Sequence, residues 1–114
     1  MSSDQLAEVV RATLDEGKAE DITMIDLRGR ASFADLMVVA TGRSQRQLAA
    51  LADHVDQKLS ALGWHSAVEG LPQGDWVLID AGDIIVHLFR PEVRSFYNLE
   101  RMWGAPEPLT ATSV

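Results

Sequence analysis

Side chains able to do chemistry are few in this sequence of 114 residues. The three histidines are spread over a predicted helix and two predicted strands: His54, His65 and His87. None has a second ligand at the spacing of a His-Glu-x-x-His site, so a metal centre is not predicted. Cysteine is absent, which removes thiol nucleophiles, cysteine-based zinc sites and disulfides and is typical of a reducing compartment.

Carboxylate pairs and one helix-opening turn are the other candidates for catalysis. The pairs close in sequence are Asp80 with Asp83 and Asp26 with Asp35. Neither pair has a base, a nucleophile or oxyanion donors at a suitable spacing. The segment TGRSQRQ, residues 41–47, could offer backbone amides to an anion, but it lacks the Walker lysine and the dinucleotide glycine spacing. Its Ser44 and Gln47 are instead typical of a capping box, and we predict no catalytic residue and no cofactor.

The charge of the chain limits its partners. Ten lysines and arginines against 17 aspartates and glutamates give a net charge of −7. Such a field repels nucleic-acid phosphates and attracts a basic protein, so little direct nucleic-acid binding is predicted. Acidity would equally serve solubility alone. Because the N-terminal stretch is acidic and no segment approaches the roughly 20 apolar residues of a membrane span, we expect a soluble cytoplasmic protein.

Periodicity and turn residues predict the elements that position these side chains. The predicted elements are a first helix capped by Ser2 or Ser3 and ending near Gly17, strands Ile22 to Leu27 and Leu36 to Thr41, a helix Gln45 to Leu62, a strand Trp64 to Gly70, a hairpin over 76–89, and helical turns after Pro91. This order predicts an α/β fold of the α+β type, one domain over 1–104 with a mixed five-stranded sheet packed by helices. Residues 105–114 are predicted to be a flexible tail.

The hairpin separates its side chains into two different faces. Gly82 and Asp83 are predicted as its two-residue turn, which places Trp76 opposite Phe89. One face is aliphatic and is predicted to be core: Val77, Ile79, Ala81, Ile84, Val86 and Leu88. The other mixes rings with polar groups: Trp76, Leu78, Asp80, Ile85, His87 and Phe89. A register slip of one residue would exchange the two faces.

The mixed face is predicted to bind another protein. Aromatic rings bordered by polar groups dominate the hot spots of protein interfaces. The alternative is that one of the two helices covers this face and that hydrogen bonds satisfy the indole and the imidazole.

Several short motifs occur in order along the chain: Ser32-Phe33-Ala34-Asp35, Ala40-Thr41-Gly42 with Ser44, Glu69-Gly70, Gly74-Asp75-Trp76, Gly82-Asp83, His87, Pro91-Glu92, Tyr97, Leu99-Glu100 and Trp103-Gly104. Together they resemble the ribosomal silencing factor family, the Iojap-like proteins called RsfS. The resemblance extends from about Ala7 to Gly104. It implies a fold similar to nucleotidyltransferases, binding to the large ribosomal subunit through its protein number fourteen, hindered joining of the small subunit when nutrients are scarce, and a homodimer when free.

The family's binding surface includes the Gly-Asp-Trp strand. The predicted ribosomal-protein-binding residues are the matched pair Asp75 and Trp76, the mixed-face residues Leu78, Asp80, His87 and Phe89, and two residues beyond the hairpin, Arg94 and Tyr97. Tyr97 would equally serve as a lid on the core.

Two other functions stay open from the sequence. An assembly factor for the large subunit would have the same sequence features, so the sequence does not distinguish it from a silencing factor. A nucleotidyltransferase would use Ser44 and nearby acids, but enzymes of that fold follow a Gly-Ser turn with a strand that carries two metal-binding acids. Here a predicted helix follows Gly42 and Ser44, with Asp53 on its polar side, which favours a catalytically silent fold.

Overall fold

The computed structural model describes residues 2–70 and 75–92. Its elements, in chain order, are α1 (Ser3–Glu16), β1 (Glu20–Asp26), β2 (Leu36–Thr41), α2 (Gln45–Ala61), β3 (Ala67–Gly70), β4 (Trp76–Asp80) and β5 (Ile84–Phe89). The five strands form one sheet in the order β1-β2-β5-β4-β3. Only β2 and β5 pair in parallel among the described strands, and the other neighbours are antiparallel. The predicted mixed five-stranded sheet is therefore confirmed.

Both helices pack on one face of the sheet. Each presents a continuous apolar stripe at helical spacing: Leu6, Ala7, Val10 and Leu14 on α1, and Leu48, Leu51, Ala52, Val55 and Leu59 on α2. These side chains form one core cluster with the aliphatic hairpin face, including Ile79, Val86 and Leu88. The predicted core face is thus confirmed, and the helices lie on it rather than on the mixed face.

A second, smaller core lies on the opposite side of the sheet. It contains Ile25 of β1, Met37 and Val39 of β2, Ile85 and Phe89 of β5, and Leu27 and Ala34 of the β1–β2 connector. The connector thus contributes apolar side chains that pack against this side of the sheet. The β5 side of the mixed hairpin face is consequently part of a packed layer.

Element ends differ from the predictions where side chains have tertiary roles. β1 begins two residues earlier than predicted and ends at Asp26, and α2 ends at Ala61 with Leu62 as its C-cap. β3 begins only at Ala67 because Trp64 folds inward: its indole Nε1 donates to the Ala81 carbonyl at 2.6 Å and its ring packs on the main core. Gly63 has a φ of 78°, the predicted left-handed conformation after α2.

The predicted capping box at the start of α2 is only half right. The Ser44 hydroxyl accepts from the Gln47 amide at 3.1 Å, as expected. The Gln47 side chain, however, accepts from the Arg43 amide at 2.6 Å and not from that of Ser44. A complete box occurs at α1, where Ser2 and Gln5 exchange both hydrogen bonds. Among the described residues, neither helix is long and apolar enough to cross a bilayer.

Candidate protein-binding surface on the sheet

The hairpin turn fixes which side chains reach the mixed face. Trp76 pairs with Phe89 and Leu78 with His87, so the predicted register is confirmed. The turn residue Gly82 has a φ of 84°, where a residue with a Cβ would be strained. The Asp80 carboxylate accepts from the Gly82 amide at 2.9 Å. Asp80 is therefore a turn-stabilising residue as well as an exposed acid on this face.

Three aromatic rings meet at one end of the mixed face. The centroids of the Trp76 and Phe89 rings lie 5.0 Å apart with a tilt of 40°. His87 stacks on Phe89, with centroids 5.7 Å apart and planes within 5°. The indole Nε1 of Trp76 donates to Nδ1 of His87 at 3.1 Å. We call Trp76, His87 and Phe89 the ring cluster; its spacings are those of favourable aromatic pairs.

Within the ring cluster, two side chains are buried and one is partly exposed. Phe89 has 0% of its surface exposed and His87 has 8%, while Trp76 and Leu78 are half-buried. The expectation that the whole face points outward is therefore wrong for its three β5 residues, Ile85, His87 and Phe89, which are buried. The alternative that α1 or α2 covers the face is also wrong, because their buried residues pack on the other side of the sheet.

Burial sets the protonation state of His87. Desolvation lowers its pKa from 6.5 to about 4, because the charged imidazolium would lose its hydration. The neutral ring carries one proton, and because Nδ1 accepts from the Trp76 indole, that proton is assigned to Nε2. His87 therefore serves here as an acceptor.

Asp75 is engaged with its own chain. Its carboxylate Oδ1 lies 3.1 Å from Nη1 of Arg90, and the two side chains are 29% and 31% exposed. The Arg90 amide also donates to the Asp75 carbonyl at 3.0 Å. A second carboxylate, that of Glu92, lies 3.1 Å from Nη2 of Arg90. Asp75 thus ties the start of β4 to the end of β5 beside the ring cluster.

The edge strand β3 adds a part of the surface that the hairpin alone did not reveal. Glu69 pairs with Leu78, and Gly70 with Val77. Glu69 and Gly70 are exposed, and together with Trp76 and Leu78 they line a groove of about 210 Å³. Alternation across neighbouring strands would have placed Glu69 beside Leu78 once the β3–β4 register was known. We call these four groove-lining residues the edge groove.

Arg94 and Tyr97 lie outside the described residues. For the enzyme alternative, the Ser44 hydroxyl is occupied as a helix cap, and Asp53 accepts from Gln57 on the same helix at 2.9 Å. Within 2–70 and 75–92, no group of three or more histidine or acidic side chains is placed to hold a metal ion.

Comparison with known proteins identifies the family. The family model described as "Ribosomal silencing factor during starvation" matches residues 1–113. The chain belongs to the RsfS family. The resemblance inferred from the short motifs is thereby confirmed, and membership connects the chain with ribosome function. The relatives from Zymomonas mobilis and Chromobacterium violaceum are named as ribosomal silencing factors.

Relatives with curated names cover most of the chain. An RsfS protein of Zymomonas mobilis is 56% identical over 102 residues, covering 89% of this chain and 77% of that protein. The mouse protein named "Mitochondrial assembly of ribosomal large subunit protein 1" is 31% identical over 94 residues, covering 79% of this chain and 41% of its own length.

Solved structures share the fold. A crystal structure of a protein from Chromobacterium violaceum has a TM-score of 0.90 at 37% identity, covering 99% of this chain and 98% of that one. One from Bacillus halodurans has a TM-score of 0.80 at 31% identity, covering 93% of this chain and all of the other.

Proposed function

We propose that this RsfS-family chain represses translation in the cytoplasm under nutrient limitation by binding the large ribosomal subunit. The contact is made with the subunit's protein number fourteen, and the bound chain sterically prevents the small subunit from joining. No turnover is involved. Before it binds, the free chain forms a homodimer.

The edge groove is the observation that carries this proposal. Trp76 and Leu78 are half-buried and pack against the second core. A tryptophan held in this way loses little conformational freedom on binding, which is typical of interface hot spots. Among the residues that the structure describes, the pocket beside them is mostly apolar, with Glu69 as its acidic wall. Such a surface suits a partner that offers an apolar side chain next to a basic one.

Replacing Trp76 by alanine tests the surface. Loss of a hot-spot tryptophan should weaken binding to isolated large subunits by about 2 kcal/mol, a factor of roughly thirty in dissociation constant. The measurement is co-sedimentation with purified large subunits over a range of protein concentrations.

Leu62→Ala is the matched control for that measurement. Leu62 is 46% exposed at the end of α2, on the helix side of the sheet, and its variant should bind like the wild type. Unchanged co-sedimentation of a folded Trp76→Ala protein would reject the edge groove as the contact.

Subunit joining tests the steric mechanism itself. Purified large and small subunits are mixed with increasing amounts of the chain, and joined ribosomes are separated by centrifugation. Because occupancy follows mass action, the joined fraction should fall with the ratio of free protein to dissociation constant. A chain that binds large subunits fully yet leaves joining unaffected would contradict steric blocking.

A role in assembly of the large subunit is the second candidate. It is favoured by the mouse relative, whose name refers to assembly of the mitochondrial large subunit. Ribosome profiles of cells lacking the protein separate the two functions. Immature large subunits in growing cells would support assembly, whereas an excess of joined ribosomes only in starved cells would support silencing.

A further inference from the structure

We infer that His87 is a positioning residue for the proposed contact, because its Nδ1 accepts the indole N–H and so fixes the Trp76 ring at the edge groove. This inference rests on the function proposed above. His87 itself is buried, so the role assigned to it is indirect.

The strand geometry gives the Trp76–His87 hydrogen bond its direction. Trp76 lies on β4 opposite Phe89, and His87 lies two residues before Phe89 on β5, on the same face. The indole therefore crosses diagonally over the hairpin to reach Nδ1 at 3.1 Å. Phe89 contacts both of the other rings, at centroid distances of 5.0 and 5.7 Å, and the imidazole lies parallel to the Phe89 ring and tilted by 37° to the indole.

Packing alone does not require an imidazole at this position. His87 sits between Val39 of β2 and Leu78 of β4 in the sheet register, where an aliphatic side chain would also fit a buried layer. Burial lowers the pKa of the ring and keeps it neutral, and the hydrogen bond from the indole requires an unprotonated Nδ1. The described interaction that needs a nitrogen here is the one with Trp76.

The consequence concerns the exposed part of the indole. A half-buried tryptophan that loses a hydrogen bond gains freedom about its two side-chain torsions, and this freedom would be lost again when a partner binds. The hydrogen bond performs this ordering in advance. Its loss should therefore weaken binding while the fold, which is built on the separate main core, persists.

The test is a double-mutant cycle measured by co-sedimentation with purified large subunits. His87→Leu removes the acceptor, His87→Gln keeps an amide oxygen, and Trp76→Phe keeps an aromatic ring but removes the N–H. In the wild-type background, His87→Leu should weaken binding about three- to tenfold, the value of one hydrogen bond, and His87→Gln less. In the Trp76→Phe background, His87→Leu should cause no further loss.

A spectroscopic measurement separates positioning from a packing role. The indole N–H resonance of Trp76, identified by its disappearance in Trp76→Phe, should shift in His87→Leu and return towards its wild-type position in His87→Gln. Wild-type affinity of a folded His87→Leu protein, or an equal loss in both backgrounds, would overturn the inference. If His87→Leu does not fold, the Trp76→Phe variant is sufficient for the test: wild-type affinity of that variant would overturn the inference.

Trp76→Ala distinguishes this inference from the function on which it rests. If Trp76→Ala weakens binding while Trp76→Phe and His87→Leu bind like the wild type, the surface stands and the positioning role fails. If Trp76→Ala itself binds like the wild type, both are rejected.

Discussion

The imidazole of His87 is kept neutral by its surroundings. Two hydrophobic strand neighbours flank it, Phe89 stacks on it, and burial lowers its pKa to about 4. In the unfolded chain the same side chain would titrate near its ordinary value of 6.5. The folded state therefore disfavours the protonated ring.

This difference predicts a pH-dependent stability. Because the folded pKa is lower than the unfolded one, the unfolded chain binds more protons between about pH 6.5 and pH 4. The contribution of His87 is complete above pH 6.5 and is lost as the pH falls towards 4. We expect the free energy of unfolding to fall by about 2 to 3 kcal/mol from this group between pH 7 and pH 4.5. Urea unfolding at both pH values measures it.

His87→Gln is the control that isolates this group from the carboxylates. The variant has no titrating ring. The free energy of unfolding of the wild type minus that of the variant should therefore fall between pH 7 and pH 4.5. An identical difference in free energy of unfolding at pH 7 and at pH 4.5 would contradict the prediction.

The sequence predicted the hairpin residues better than their surroundings. The turn glycine Gly82 and the alternation of side chains between the two faces of a strand were sufficient to predict the register of the hairpin, because both are local properties of residues 76–89. The burial of His87 and Phe89 depends on β2, which pairs with β5 in parallel, and on the β1–β2 connector. Neither neighbour can be read from the hairpin, so the face was expected to be more exposed than it is.

The helices and strands show the same division between local and distant causes. Helix ends were predicted within one residue, since caps and apolar stripes are local signals. β3 was predicted too long because Trp64 has a high strand propensity, whereas in the structure its ring packs against the main core. The Glu69 side of the edge groove was missed for a related reason: it depends on which strand lies beside β4.

Gln47 joins two elements and predicts a measurable difference within α2. Its side-chain oxygen accepts from the Arg43 amide, and its amide nitrogen donates to the carbonyls of Gly17 at 3.3 Å and Lys18 at 3.1 Å. Gln47→Ala leaves several backbone groups without these partners and should lower the free energy of unfolding by about 1 to 2 kcal/mol. Thermal or urea unfolding measures it.

Gln57→Ala is the matched control in the same helix. Gln57 is exposed and donates to Asp53 at 2.9 Å, so its loss should cost less than about 0.5 kcal/mol. Equal effects of the two substitutions would show that Gln47 does not link the start of α2 to the α1–β1 turn.

The net charge of −7 belongs to the molecule as a whole and predicts how salt affects ribosome binding. If the contact is a basic protein, added salt should screen attraction and weaken binding. If the contact were instead made by apolar packing alone, salt would leave binding nearly unchanged. Co-sedimentation at about 50 and 200 mM monovalent salt and constant magnesium distinguishes the two.

Glu69→Gln shows how much of this effect belongs to the edge groove. The variant should retain the sign of the salt dependence with a smaller slope, since one acidic wall is neutralised. Binding that strengthens with salt in the wild type would contradict a basic protein partner.

The position of β5 in the middle of the sheet has a consequence for biosynthesis. Although β5 lies between β2 and β4, it is the last of the five strands to leave a translating ribosome. Until β5 has emerged, the pairs β1–β2 and β3–β4 are not joined, and the backbone N–H and C=O groups of β2 and β4 that bond to β5 have no strand to pair with. The five-stranded sheet is therefore completed only in the last step, when β5 pairs with both neighbours. We expect a nascent chain stalled before residue 84 to be a substrate for chaperones and not a partly active factor.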